Sequence, residues 1–128
     1  MANNYTQATV EPEIHPDLIT PEEINELCDN GYNYVTTQYG DYYFFVEEGF
    51  WLDDTAHIWQ NVIKRSKEFT PDVEVIYEEI EEIVVEGAYT CSKMRPGEFG
   101  GFVARITEDD VQQAGTGLLL DMFRQGVL

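Results

Sequence analysis

The sequence predicts an α+β domain whose four-stranded antiparallel sheet is built from two helix-hairpin-helix repeats. After Ile19, the chain can be aligned with itself without a gap at an offset of 56 residues, so that residue 22 matches residue 78. In this alignment the apolar residues of the two copies fall at the same positions, with the spacing of an amphipathic helix. Each copy also holds two aromatic and β-branched runs divided by a turn. A pseudo-twofold axis between the copies would pair the hairpins into one sheet, with the helices mainly on one face.

The domain organisation follows from this repeat. Residues 1–19 are rich in Asn, Thr, Gln and Pro and lack periodicity, which indicates a flexible N-terminal arm. Residues 20–128 then form a single domain of two repeats, 20–70 and 71–128. Convergence of simple apolar patterns is the alternative to a true duplication, because few of the aligned residues are identical.

The opening helix of each repeat begins at a Thr-Pro pair. In the first repeat, Thr20, Pro21 and Glu23 form a capping box, and the helix is predicted over 21–30 with its end at Gly31. In the second repeat, Thr70-Pro71-Asp72 predicts a longer helix over 71–86 that ends at Gly87.

Two hairpins follow the opening helices. In the first, residues 32–37 and 42–48 are strands joined by a turn at 39–41. In the second, residues 88–94 and 99–106 are strands joined by 95–98, where Pro96-Gly97 specifies a type II turn.

The closing helices are predicted near Asp53-Asp54 and at Thr107–Asp110, because acids at a helix start favour the positive end of its dipole. The residues expected on their buried faces are Ile58, Trp59, Val62 and Ile63 in the first, and Val111, Ala114, Leu118 and Met122 in the second.

Charge and composition exclude several classes of function. The 128 residues include 25 acidic and 7 basic side chains, a formal charge of −18, which opposes direct binding to nucleic acid or to an anionic membrane. No apolar run is long enough to span a bilayer, and no signal peptide is evident. We therefore expect a cytoplasmic protein with Cys28 and Cys91 as buried, reduced thiols.

The motifs of common enzymes and cofactor sites are missing, so the sequence predicts a non-enzymatic protein without cofactor or metal. His57, three residues after Asp54, is the weak candidate for a general base. The acidic pairs at 53–54 and 108–110 lack the spacing of a calcium loop and are interpreted as helix caps. The glycine-rich stretch 97–101 is interpreted as a tight turn.

The most informative segment is the predicted acidic helix. At about 1.5 Å rise per residue it would carry one negative charge per roughly 3 Å of helix. A single DNA strand carries one negative charge per about 3.4 Å, so the charge densities are similar. With tyrosines exposed on the first hairpin, it would bind a basic protein surface. The candidate partner-binding residues are Asp72, Glu74, Glu78, Glu79, Glu81, Glu82, Glu86, Tyr39 and Tyr42.

In charge and size, the chain resembles the acidic DNA-mimic inhibitors that phages and plasmids use against restriction or CRISPR machinery. The resemblance implies an inhibitor that occupies the nucleic-acid-binding surface of a basic protein. The alternative is a small ligand- or protein-binding module whose acidity serves only solubility. A homodimer is compatible with either hypothesis.

Overall fold

The computed structural model describes residues 4–70, 78–91 and 99–126. Within these ranges the chain is α+β, with three α-helices and a six-stranded antiparallel sheet, which confirms the predicted class. The strands are β1 (Asn4–Glu11), β2 (Tyr32–Thr36), β3 (Tyr42–Val46), β4 (Ile83–Cys91), β5 (Gly100–Ile106) and β6 (Val111–Gly115). The helices are α1 (Pro21–Asp29), α2 (Ala56–Glu68) and α3 (Thr116–Gln125), and a 3₁₀ turn lies at Pro16–Leu18.

The sheet order is β2-β3-β1-β4-β5-β6, so the first strand of the chain lies inside the sheet. The prediction of a flexible arm is therefore wrong for residues 4–19. β1 pairs with β4 along its whole length and with β3 at Ala8 and Thr9. Its Thr, Ala and Val residues alternate, and Ala8 and Val10 are buried on one face.

The order of elements predicted for residues 20–70, a helix, a hairpin and a second helix, is confirmed, although Thr55 and not Asp53 or Asp54 stands at the N-cap of α2. Glu23 N–H donates to Thr20 Oγ1 at 3.2 Å, and the Glu23 carboxylate accepts from Thr20 N–H at 3.0 Å, which completes the capping box. The chain leaves α1 through Gly31 at φ 102°, a conformation that favours glycine. β2 and β3 then pair as the predicted hairpin, and α2 buries Ile58, Trp59, Val62 and Ile63 as expected.

The prediction of an acidic helix over 71–86 is wrong for residues 78–86, the part of this segment that the structure describes. Residues 78–82 have no regular secondary structure, and β4 begins at Ile83; residues 71–77 lie outside the described ranges. Ile83 and Val85 are buried while Glu86 is exposed, which is the alternation of a strand. A short β-branched run fits helical and strand periods equally well, and sheet pairing decided the outcome. The predicted turn at 95–98 also lies outside the described ranges.

The predicted closing helix of the second repeat is wrong in its first half. Thr107 to Asp110 form a tight turn, with Thr107 N–H donating to Asp110 O at 2.9 Å, and β6 follows where a helix was expected. Val111 and Ala114 lie on that strand, and Leu118 on α3 is exposed. The second unit is thus a three-stranded meander, and the predicted four-stranded sheet and pseudo-twofold symmetry do not hold among the described residues.

The hydrophobic core lies between one face of the sheet and helices α1 and α2. Trp59 of α2 packs edge-on against Phe44 and Tyr32, with ring centroids 5.3 and 5.6 Å apart. Leu27 of α1 and Ile14 complete this layer. Cys28, the neighbour of Leu27, is exposed, which corrects the prediction of a buried thiol, because the inward stripe of α1 runs through Glu23 and Leu27 instead.

Candidate functional site: an acidic groove

The acidic segment 78–82 is fixed to the domain by its central residue. Ile80 is buried with 7% of its surface exposed, and its backbone N–H donates to Ser66 Oγ of α2 at 2.7 Å. Glu78, Glu79, Glu81 and Glu82 flank this anchor and are all exposed. The apolar anchor and the hydrogen bond therefore hold four carboxylates at a defined place on the surface.

A second segment brings further acids to the same place. Ile14 and Tyr42 form an isolated β-bridge, with N–H to O distances of 2.8 Å in both directions. This bridge sets Glu13 beside the β2–β3 turn, which carries Tyr39 and Asp41. The buried side chain of Ile14 fixes the bridge in the core.

Residues 12–18, the β2–β3 turn and segment 78–82 line a concave groove of about 1120 Å³. Six of its described lining residues are carboxylates, and none is lysine or arginine. The lining residues are Pro12, Glu13, His15, Leu18, Tyr39, Asp41, Glu78, Glu79, Ile80, Glu81 and Glu82. We call this site the acidic groove. A concavity lined by one sign of charge concentrates the electrostatic potential and attracts cationic groups.

Most of the described basic residues pair with the chain's own acids. Arg65 binds Glu23, Lys67 binds Glu108, and Arg105 binds Glu82, while Arg124 Nη1 lies 3.8 Å from Asp121 Oδ1. Among the carboxylates of the groove, only Glu82 forms an ion pair with a lysine or arginine of the described ranges.

The Lys67–Glu108 pair is an example of a basic side chain whose charge is balanced by an acid of the same chain. The hydrogen bond to Glu108 raises the pKa of Lys67, and the negative charges of Glu79 and Asp109 add to the effect. The same bond from Lys67 lowers the pKa of Glu108. Both side chains are therefore firmly charged at neutral pH.

The structure brings together five of the nine predicted partner-binding residues. Tyr39, with 82% of its surface exposed, and the four glutamates of segment 78–82 all line the acidic groove. Tyr42 instead packs against the core, with its ring 5.4 Å from that of Tyr34. Glu86 lies on β4 and lines a different groove. Asp72 and Glu74 lie outside the described residues.

Sequence reasoning missed Glu13 and Asp41. Glu13 fell in the segment interpreted as an arm, and Asp41 was interpreted only as a turn residue. The apolar residues Val10, Ile14 and Leu18, four apart, were the available signal that this segment packs against the domain.

The weak catalytic and metal candidates have ordinary surroundings. His57 Nε2 lies 3.6 Å from Glu26 Oε1, and both side chains are about half exposed. Over the described ranges, no three His, Cys, Asp or Glu side chains converge closely enough to hold a metal ion. The carboxylates of the groove can bind and orient cationic groups.

A second, apolar groove of about 580 Å³ lies on the sheet face that turns away from the core. Val35, Tyr43 and Phe45 line one part of it, with the Tyr43 and Phe45 rings stacked 5.9 Å apart. Glu86 and Ala88 of β4 line another part.

No protein family model, curated protein or solved structure matches this chain. Within the described ranges, every helix is too short or too polar to cross a membrane.

Proposed function

We propose that this protein is a non-enzymatic, cytoplasmic binding protein whose acidic groove engages the basic surface of a nucleic-acid-binding protein, in the manner of a DNA mimic. The observation that carries the proposal is that six carboxylates from three separate segments line one groove without a lysine or arginine among its described lining residues. Acidity that served only solubility would not need to be gathered in a concave site.

The charge spacing along segment 78–82 supports this proposal. Five residues span at most about 17 Å, so the four carboxylates average one negative charge per about 4 Å of chain. One DNA strand carries one phosphate charge per about 3.4 Å of helix axis. A partner that binds phosphates with a row of arginine or lysine side chains can therefore place them against successive glutamates.

Tyr39 adds a contact of a different kind. Its ring stands largely exposed at the rim of the groove, where a guanidinium group bound to the neighbouring carboxylates can lie against the aromatic face. Long-range attraction from the net charge of −18 would speed association, and this attraction weakens as salt screens it.

The test compares two variants with the same net charge. In the groove variant, Glu78, Glu79 and Glu81 are replaced by glutamine, while Glu82 is kept because it pairs with Arg105. The matched control replaces the exposed residues Glu22, Glu47 and Glu48, which do not line the groove. Affinity for a fluorescein-labelled oligoarginine peptide is measured by anisotropy at several salt concentrations. A second arm measures the release of labelled duplex DNA from a sequence-independent DNA-binding protein.

The groove variant should lose about 2 kcal/mol of binding free energy, a roughly thirtyfold weaker affinity, because each exposed ion pair contributes up to about 1 kcal/mol. The control should lose much less. Equal losses in both variants would show that acidity acts without regard to the groove. If the wild-type protein binds the peptide but releases no DNA, binding to a basic surface stands and nucleic-acid mimicry fails.

A second candidate function is a module that binds a small apolar ligand, and the apolar groove of β1, β3 and β4 favours it. Its stacked Tyr43 and Phe45 rings and its small residues leave space for an apolar molecule. An environment-sensitive apolar dye should bind the wild-type protein and be excluded by Ala88→Phe, which fills the groove. Gln112→Phe on β6 is the control, and dye binding that is unchanged by Ala88→Phe would remove this candidate.

A further inference from the structure

Helix α3 is amphipathic, and its apolar face is open to solvent. Residues of an α-helix follow one another at about 100°, which places its apolar residues on an arc of about 200°. Leu118, Leu119 and Leu120 are 48, 44 and 45% exposed, Phe123 is 61% exposed, and no residue of α3 is buried. A helix in a globular domain normally packs so wide an apolar stripe against a neighbour.

The start of α3 is fixed to the sheet next to further exposed apolar residues. Gly101 N–H donates to Thr116 Oγ1 at 2.7 Å. A Cβ added at Gly100 would lie 3.2 Å from that oxygen and 3.7 Å from Tyr89 Cδ2, so Tyr89 lies beside the first turn of the helix. Tyr89 and Phe99 are 46 and 45% exposed. We call the set Tyr89, Phe99, Leu118, Leu119, Leu120 and Phe123 the α3 patch.

We propose that the α3 patch is the interface of a weak homodimer, in which two copies of α3 pack against each other about a twofold axis. This interaction is independent of the acidic groove. A twofold arrangement lets the same patch serve both subunits, and it is the commonest symmetry of soluble oligomers.

The local charge selects a second copy as the occupant. Asp121 and Arg124 lie 3.8 Å apart on α3 and cancel, so the helix is neutral within a chain of charge −18. Two copies can therefore meet here without like charges in the interface. A basic partner would find no excess negative charge on this helix. Helices that lie on membranes carry several Lys or Arg residues on the polar face, whereas α3 carries one Arg beside one Asp.

The size of the patch indicates a small interface. The exposed parts of its six side chains amount to on the order of 500 Å², near the largest apolar patches of ordinary monomers. Stable interfaces bury roughly 800 Å² on each partner. Interfaces below this size are typical of weak, transient association, so the dimer should be reversible and should form only as the protein concentration rises.

The experiment is sedimentation velocity of the full chain over a roughly hundredfold range of concentration, centred in the micromolar range. Phe123→Glu places a charge in the patch. Asn25→Glu makes the same charge change at an exposed position of α1, outside the patch, and serves as the matched control. Circular dichroism checks that both variants keep the fold. A parallel arm measures co-sedimentation of the wild-type protein with neutral phosphatidylcholine vesicles.

The wild-type protein and Asn25→Glu should shift from monomer to dimer as concentration rises, and Phe123→Glu should stay monomeric. Added salt should strengthen the dimer, because it screens the repulsion between two acidic chains, whereas it weakens binding at the acidic groove. A wild-type protein that stays monomeric throughout, or equal behaviour of the two variants, would overturn the proposal. Vesicle binding by a monomeric wild-type protein would assign the patch to a lipid surface instead.

Discussion

Replacing Glu23 by glutamine tests how much the buried ion pair between Glu23 and Arg65 contributes to the stability of the fold. Glu23 is the one acidic residue among the buried polar residues of the described ranges. Its carboxylate binds Arg65, with Arg65 Nη2 donating to Oε2 at 3.2 Å, and accepts from Asn61 Nδ2 at 3.4 Å. Glutamine keeps the side-chain volume and can still complete the capping box with Thr20, so the substitution removes mainly the charge.

The expected loss of stability at neutral pH is about 2 kcal/mol. Breaking a fully buried ion pair costs about 3–5 kcal/mol, and the 35% exposure of the Arg65 side chain lets water replace part of that interaction. For a domain of this length, about 2 kcal/mol corresponds to a fall in Tm of about 7 °C. The measurement is urea unfolding followed by circular dichroism, with thermal melts beside it.

The pH dependence separates the ion pair from packing. Burial alone would raise the pKa of Glu23, but the hydrogen bonds from Arg65, Thr20 and Asn61 outweigh it, and the pKa lies below the ordinary value of 4.5. The ionised pair therefore stabilises the fold above pH 4.5, and this contribution is lost as pH falls through the lowered pKa of the folded state. The difference between wild type and Glu23→Gln should be full at pH 7 and should vanish in acid.

The control is Glu22→Gln, which removes an exposed acid from the same turn and should cost only a few tenths of a kcal/mol. A stability difference for Glu23→Gln that is as large in acid as at pH 7 would refute the electrostatic reasoning and attribute the loss to packing. No difference at pH 7 would refute the whole argument.

Three further predictions concern the fold. Gly31→Ala should lower the free energy of unfolding in urea by about 3 kcal/mol or more, because φ is 102° and the new Cβ would lie 1.9 Å from Gly49 O. The control Gly40→Ala, at φ 88° with open space around it, should lower it clearly less. Equal losses in the two variants would contradict the clash. Tyr32→Phe should lower the free energy of unfolding by about 1–2 kcal/mol, because Trp59 Nε1–H loses the hydroxyl that accepts from it at 3.4 Å inside the core. An unchanged urea midpoint would show that this hydrogen bond contributes nothing to stability. At pH 7 added sodium chloride should raise Tm, because it screens repulsion among the surplus carboxylates. A Tm that falls as salt is added would show that the ion pairs outweigh this repulsion.

The correct predictions were those that depend on contacts close in sequence. The capping box of Thr20 and Glu23, the helix end at Gly31 and the first hairpin each involve residues within a few positions of each other. Such contacts leave a local signature, because caps and turns have fixed spacings and strict backbone requirements. The inward face of α2 was also predictable, since its stripe is long enough to show the helical period.

The errors arose where a distant strand decided the outcome. Residues 4–11 are polar enough to suggest a loop, and they form a strand because β3 and β4 supply hydrogen bonds on both sides. Residues 83–86 were compatible with a helix until β1 and β5 paired with them. Sheet propensity depends strongly on such neighbours, so one short segment does not reveal it.

The sequence by itself determined the charge of the protein, its α+β class and the concentration of glutamates in 78–82. Only the tertiary structure decided that Glu13, Tyr39 and Asp41 join these glutamates in one groove, and that Tyr42 and Glu86 do not. The physical reason is that charge and local propensity are properties of neighbouring residues. A groove is formed by segments far apart in the chain, which the Ile14–Tyr42 bridge and the buried Ile80 side chain hold in place.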